Sequence, residues 1–224
     1  MFTLGQELNR EIERYAHTVV AANPLFLAAE RGALTAHHVA NYVAGLRFLH
    51  GKTPHFFRRA ERGAAAAGDH VLVEHYRRRL REEAGHERWA DHDLSLLPTP
   101  TGPYPGAEEH AALGRLVKYL ESVIDRDPRH FLAYGLLAEY FTVLVGPRWL
   151  RALENRCGVS ASRVTTLANH IEADAEHAAA GAREIDLLVG SPLHAPALLE
   201  VVRTTISFFD AFWDEVMSTR VAAA

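Results

Sequence analysis

Three side chains in the run NHIEADAEH, Asn169 to His177, have the types and spacing of a metal-binding or proton-transfer site. His170, Asp174 and His177 stand at offsets i, i+4 and i+7, so at 3.6 residues per turn they share one helical stripe, while Glu172 and Glu176 point elsewhere. Leu167 precedes them on that stripe and Gly181 follows, which makes it a core-facing side turned polar in its middle. Two imidazoles flanking a carboxylate within two turns are hard to satisfy without a shared partner. Imidazole and carboxylate together suit Fe(II), Mn(II) or Zn(II), whereas the absence of nearby Cys speaks against a structural zinc site or an iron-sulfur cluster.

Two further positions offer the same chemistry. In REEAGHERWADHDL, Glu83 and His86 form Glu-x-x-His, which on a helix sets a carboxylate and an imidazole side by side. Helical bundles that hold paired irons or manganese project ligands this way, although the pattern alone is weak. Glu139 is the only charged residue between Phe131 and Val145, and a carboxylate in so apolar a helix must be paired, protonated or bound to a cation. The plain alternative for Glu139 is an ion pair with Arg or Lys. For the whole set it is a buried hydrogen-bonded network without chemistry. Asp93 shares the face of His86 and either orients a ligand histidine or caps a helix end.

Side chains so spaced need helices to position them. Apolar residues recur at three and four, and Ala, Leu, Glu and Arg dominate, which predicts helices near 4–22, 35–62, 69–97, 107–125, 129–145, 147–156, 160–188 and 193–219. Asn23-Pro24, Gly63, Gly68, the stretch from Pro98 to Gly106, Asp127-Pro128, Gly146-Pro147, Gly158 and Gly190 to Pro192 mark the breaks. Ser160 is the expected N-cap of the helix bearing the opening motif. Pro54 lies inside the second helix and should kink it near His50 and His55. With no interdomain linker and no internal repeat, residues 1–224 read as one all-α domain of seven or eight helices.

Composition narrows the partners. With 48% hydrophobic and 23% charged residues the chain has an ordinary soluble composition, and a formal charge of -4 gives no reason to expect nucleic acid or an anionic membrane. Arg77, Arg78, Arg79 and Arg81 are followed at once by Glu82, Glu83 and Glu87, the pattern of a solvated helix face. Cys157 is the one cysteine, which reads as a buried structural thiol. The first fifteen residues lack the apolar core of a signal peptide, and the run from Phe131 to Val145 is too short to span a bilayer, so a cytoplasmic protein is expected.

Taken in order along residues 35 to 188, these elements resemble the heme-oxygenase-like diiron oxidases, whose helical fold is shared with heme oxygenase, thiaminase II and pyrroloquinoline quinone synthase. The His-x-x-x-Asp-x-x-His of His170, Asp174 and His177 is similar to that family's last ligand helix. Glu83 and His86 match its Glu-x-x-His, and Glu139 the lone carboxylate from the helix between. The resemblance implies two Fe(II) per chain, with Mn(II) as an alternative, O2 as co-substrate, a small-molecule substrate and a homodimer. The reactions it implies are N-oxygenation, carbon-carbon cleavage or desaturation of amino-acid or fatty-acid derivatives.

One departure stands out. The family usually has a further Glu about 33 residues before Glu83, where this chain has His50, and no Glu lies between Glu30 and Glu61. With His50 as substitute ligand, Glu83, Glu139 and Asp174 face the four positive charges of two Fe(II) with three negative ones. One metal position is therefore expected to bind more weakly, or to take an anion or a substrate carboxylate. Tyr134, Tyr140, Phe56, Phe57 and Trp89 lie near the ligand positions and either line a pocket or pack the core. Rival readings are a metal-free enzyme on the same scaffold, in which His50, His86, His170 and His177 bind and protonate a substrate, and a helical binding protein. A heme site would need an axial histidine such as His17, leaving Glu139 and the His170/Asp174/His177 set unexplained. The other histidines, His75, His130 and His194 among them, are expected mostly at the surface.

Overall fold

The computed structural model describes residues 2–101, 103–104 and 111–218. The described residues form nine α-helices and no strand: α1 (Leu4–Ala22), α2 (Pro24–Glu30), α3 (Ala36–Ala66), α4 (His70–Glu82), α5 (Glu87–Leu96), α6 (Ala112–Arg126), α7 (Leu132–Cys157), α8 (Thr165–Val189) and α9 (Ala195–Ser218). Caps explain many of the starts. Thr3 and Thr35 open α1 and α3 with capping boxes, and Asp69 accepts the Leu72 N–H to open α4. Asn23-Pro24, expected only as a break, instead starts α2: Asn23 caps Leu25 and Pro24 fills the first helical position, where no N–H is needed.

Three boundaries differ from the sequence expectation. The segment 69–97 is two helices, α4 and α5, because Gly85 adopts φ +95, a conformation a side chain disfavours, and turns the chain there. Conversely, Gly146-Pro147 does not end a helix, and α7 runs unbroken from Leu132 to Cys157. Proline removes a single backbone bond, and packing against α8 outweighs that loss. Finally, α8 begins at Thr165, and Ser160 caps only the short 3-10 turn Ala161–Arg163 that precedes it. The expected start of α6 near residue 107 lies outside the described residues, as does residue 219 at the end of α9.

The helices bury one continuous apolar core. α1 contributes Leu8, Ile12, Ala16 and Val19, and α6 contributes Leu113, Leu116, Leu120, Val123 and Ile124. α9 turns Leu198, Val201, Val202, Phe212, Trp213 and Val216 into the same core, so its aromatic face packs within the chain. The tightest pairing is α7 against α8. It depends on small residues: a Cβ on Gly181 would sit 2.6 Å from Leu136, and one on Gly146 would sit 2.7 Å from Ile171. These two approaches bracket Glu139 on α7 and Asp174 and His177 on α8, and so bring the three together. α3 continues through Pro54, which has no N–H to offer the carbonyl of His50 one turn earlier. No single described helix is long and apolar enough to cross a membrane.

Candidate metal centre

Helix α8 delivers its stripe as the periodicity requires. His170 and Asp174 are buried, His177 is half-buried, and Glu172 and Glu176 face outward. The start of α8 is held from another helix. Buried Asp93 of α5 accepts the Thr165 N–H at 2.9 Å, the Thr165 hydroxyl at 2.6 Å and the Thr166 N–H at 2.8 Å. Thr166 in turn accepts the Nδ1–H of His170 at 2.7 Å. That bond fixes the tautomer and leaves His170 Nε2 with a free lone pair, buried and without a partner. Asp93 thus caps a helix, the second of the roles its position allowed.

Glu83 and His86 come together by a route the sequence did not suggest. They lie in the turn after α4, not on one continuous helical face, with His86 Nδ1 3.1 Å from Glu83 Oε2 but without the alignment of a hydrogen bond. His86 stacks on Trp89 at 4.1 Å and meets His170 edge-on at 5.1 Å. On α7, Glu139 reaches to 3.9 Å from His177 Nδ1. The outcome is two sets of three donors, Glu83/His86/His170 and Glu139/Asp174/His177, each with ligand atoms within 4.8 Å of one another. His50 belongs to neither set in this arrangement, yet its ring stacks on His170 at 4.3 Å and its Nδ1 is also buried without a partner. His17 is exposed on α1 and faces none of this.

Arg79 does not belong to the solvated face expected of its arginine run. It is 6% exposed, and its guanidinium forms an ion pair with Glu139 while lying 3.6 Å from Glu83 and 3.1 Å from Glu82. The ion-pair alternative for Glu139 is therefore realised in this structure. The signal was available in the sequence: Arg79 continues the stripe of Leu72, Tyr76 and Glu83 along α4. Its neighbours Arg77 and Arg78 are indeed half-exposed surface pairs with Glu61, Glu74 and Glu184.

The electrostatics favour a cation between these groups. Burial lowers the proton affinity of His50, His170 and His177, so the imidazoles are neutral, which is the form that ligates a metal. Burial and the nearby Glu83 push Asp174 up to about 7. Burial also pushes Glu83 up, but His86 and Arg79 outweigh it and hold that carboxyl below its ordinary value. Four buried imidazole nitrogens, on His50, His86, His170 and His177, have no hydrogen-bond partner, and His86, His170 and His177 each share a set with a carboxylate. Donor set and orphaned atoms fit a pair of transition-metal ions.

Beside the donors lies a cavity of about 150 Å³ reached by His50, Arg79, Glu83, Glu139, His170 and Asp174. Its remaining wall is mostly apolar and aromatic, with Phe57, Tyr134, Trp149 and Phe212 among its residues. Of the aromatics singled out in the sequence, Phe57 and Tyr134 line it, Phe56 is fully buried in the core, Tyr140 donates to Glu13 and Trp89 packs on His86.

No family model and no curated protein matches the chain. Solved structures do. A domain of unknown function with a heme oxygenase-like fold from Shewanella denitrificans superposes with a TM-score of 0.77 at 17% identity, over 95% of this chain and 91% of that one. A TenA homolog from Pseudomonas syringae pv. tomato matches with a TM-score of 0.74 at 13% identity, over 96% and 92%. A CADD-like protein of unknown function from Nostoc punctiforme matches with a TM-score of 0.67 at 15% identity, over 94% and 97%. The chain therefore has the heme oxygenase-like fold, and the likeness carries that far.

Proposed function

We propose that this chain is a non-heme diiron oxidase or oxygenase that uses O2 to oxidise a small amino-acid- or fatty-acid-derived metabolite. The observation that carries the reading is the pair of adjoining three-donor sets, in which the only free lone pair of His170 faces Glu83 and the carboxylate of Glu139 comes within 4.8 Å of buried Asp174 and of His177. Glu83, His86 and His170 would hold one ion, and Glu139, Asp174 and His177 the other, with His50 as a further donor beside His170. Paired ferrous ions supply the electrons and the O2-binding site that no side chain offers, and Mn(II) takes the same donors.

The chain's own residues do the rest. Thr166 fixes the tautomer of His170, and Asp93 fixes Thr166. Asp174 carries a proton near neutrality that it must release on ligation, while Arg79 balances Glu139 until a metal replaces it. The aromatic wall keeps water from the donors and suits a substrate with an apolar body, whose polar end would meet Thr53 or Arg79 on the same cavity.

Anaerobic Fe(II) titration with elemental analysis, followed by exposure to O2 under optical absorption, tests this. About two irons per chain and a transient visible band are expected. A protein that remains metal-free and colourless with excess Fe(II) would overturn the reading in favour of the metal-free enzyme, for which the Arg79–Glu139 pair already satisfies the lone carboxylate.

A further inference from the structure

A third group of ligand-type side chains lies outside the central cavity. Asp127 ends α6 and caps the 3-10 turn Pro128–Phe131, and His130 stands three residues on. Asp127 is the extended cap of that turn, and its carboxylate comes back to 3.8 Å from the His130 ring. His194 closes a second 3-10 turn, Pro192–His194, between α8 and α9. Neither imidazole reaches the cavity, and all three side chains are partly open to solvent, at 17%, 17% and 21% exposure. His130 and His194 are thus not plain surface histidines.

Their distances define a hole of ionic size. His130 Nε2 lies 2.9 Å from His194 Nδ1, and these nitrogens lie 3.8 Å and 3.9 Å from Asp127 Oδ2. The last two separations are too long for hydrogen bonds, yet the carboxylate oxygen faces both rings. The point equidistant from the three atoms is about 2.1 Å from each, which is the length of a zinc–imidazole or zinc–carboxylate bond. Arg129 holds the carboxylate in place with its backbone N–H and Nε on Oδ1, at 3.0 Å and 2.9 Å, and a terminal nitrogen on Oδ2 at 2.7 Å. An outer hydrogen-bond partner of this kind orients a ligating carboxylate and leaves its second lone pair free. The Arg129 charge disfavours a hard cation held by electrostatics alone, whereas two imidazoles favour an ion that bonds to nitrogen.

We propose that Asp127, His130 and His194 form a zinc site that clamps the α6–α7 turn to the α8–α9 turn, with water in the fourth position. The site ties together segments 64 residues apart and is independent of the diiron reading. Zinc ligation needs both facing nitrogens as lone pairs, so the proton shared between the two rings moves to the outer nitrogen of the ring that carries it, and both bind as neutral imidazoles.

The test is calorimetric titration of the full chain with Zn(II), with thermal unfolding alongside, on the wild type, on His194→Gln and on Asp127→Asn, whose amide oxygen retains the turn cap. The wild type is expected to bind one equivalent more than either variant, beyond any zinc taken by the central donors, and to gain more in Tm on adding zinc. Equal stoichiometry in all three proteins, or equal zinc-induced Tm shifts, would overturn the proposal. If one variant does not fold, the other still reads the missing equivalent.

Discussion

Arg79 and a metal ion compete for the same carboxylates. With its guanidinium paired to Glu139 and close to Glu83 and Glu82, Arg79 serves as the internal cation of the metal-free protein. Substituting Arg79→Gln removes that cation without removing the side-chain volume. Two effects of opposite sign follow. Without metal, the buried carboxylates lose their partner, which costs about 3 kcal/mol of stability. With metal, the competitor is gone, and the weaker Fe(II) or Mn(II) equivalent should tighten at least tenfold. Anaerobic titration and thermal unfolding with and without metal check both. An unchanged second affinity would refute the competition. This residue also marks a limit of sequence reading. Glu139, His170, Asp174 and His177 are legible as polar residues on apolar stripes, and Glu83 and His86 by their spacing, but Arg79 sits in a run of arginines, and only its phase with Leu72 and Tyr76 separates it from the solvated ones.

Among the elements, α8 is the one whose placement matters most, and it has no cap of its own. Val164 offers no side-chain bond, so Asp93 of α5 supplies the acceptor across the fold. Replacing Asp93 with Ala leaves two backbone N–H groups and a hydroxyl of Thr165 and Thr166 without a partner, a loss of about 3 kcal/mol. Because Thr166 also orients His170, metal affinity should fall roughly 10- to 100-fold as well. Chemical unfolding and metal titration of the same variant separate the two effects. A loss of stability with unaltered metal affinity would make Asp93 a cap and nothing more. The helical stripe of α8 was legible because a period of 3.6 is a local signal. Its cap was not, since a tertiary acceptor 72 residues away leaves no local trace. For the same reason Gly85 and Pro147 depart from the sequence expectation in opposite directions. The turn at Gly85 depends on a φ of +95, and the continuity of α7 through Pro147 depends on its packing with α8.

At the scale of the whole molecule, the buried titratable groups tie metal loading to pH. Asp174 is raised from 3.8 to about 7 by burial and Glu83. Between those values the folded chain holds a proton that the unfolded chain has released, so this group's stabilisation is full below pH 3.8 and is lost as pH rises to about 7. His75, buried and pushed down to about 3 by burial and the charges of Arg78 and Arg79, tilts the other way. It is neutral when folded and charged when unfolded below 6.5, so its contribution grows as pH rises from 3 to 6.5. Burial lowers His50, His170 and His177 too, and they tilt the same way as His75, so Asp174 gives only a partial cancellation and the metal-free wild type should gain stability as pH rises toward 6.5. The variant Asp174→Asn lifts the cancellation. Its stability should match the wild type below pH 4 and exceed it above pH 7 by an amount of the order of 4 kcal/mol. Added Fe(II) or Mn(II), under anaerobic conditions, should reverse that order above pH 7, because only the ionised carboxylate gives a metal its donor. Urea unfolding from pH 4 to 8, with and without metal, decides the matter. Parallel curves for the two proteins in the absence of metal would mean that Asp174 is not the group that holds the proton.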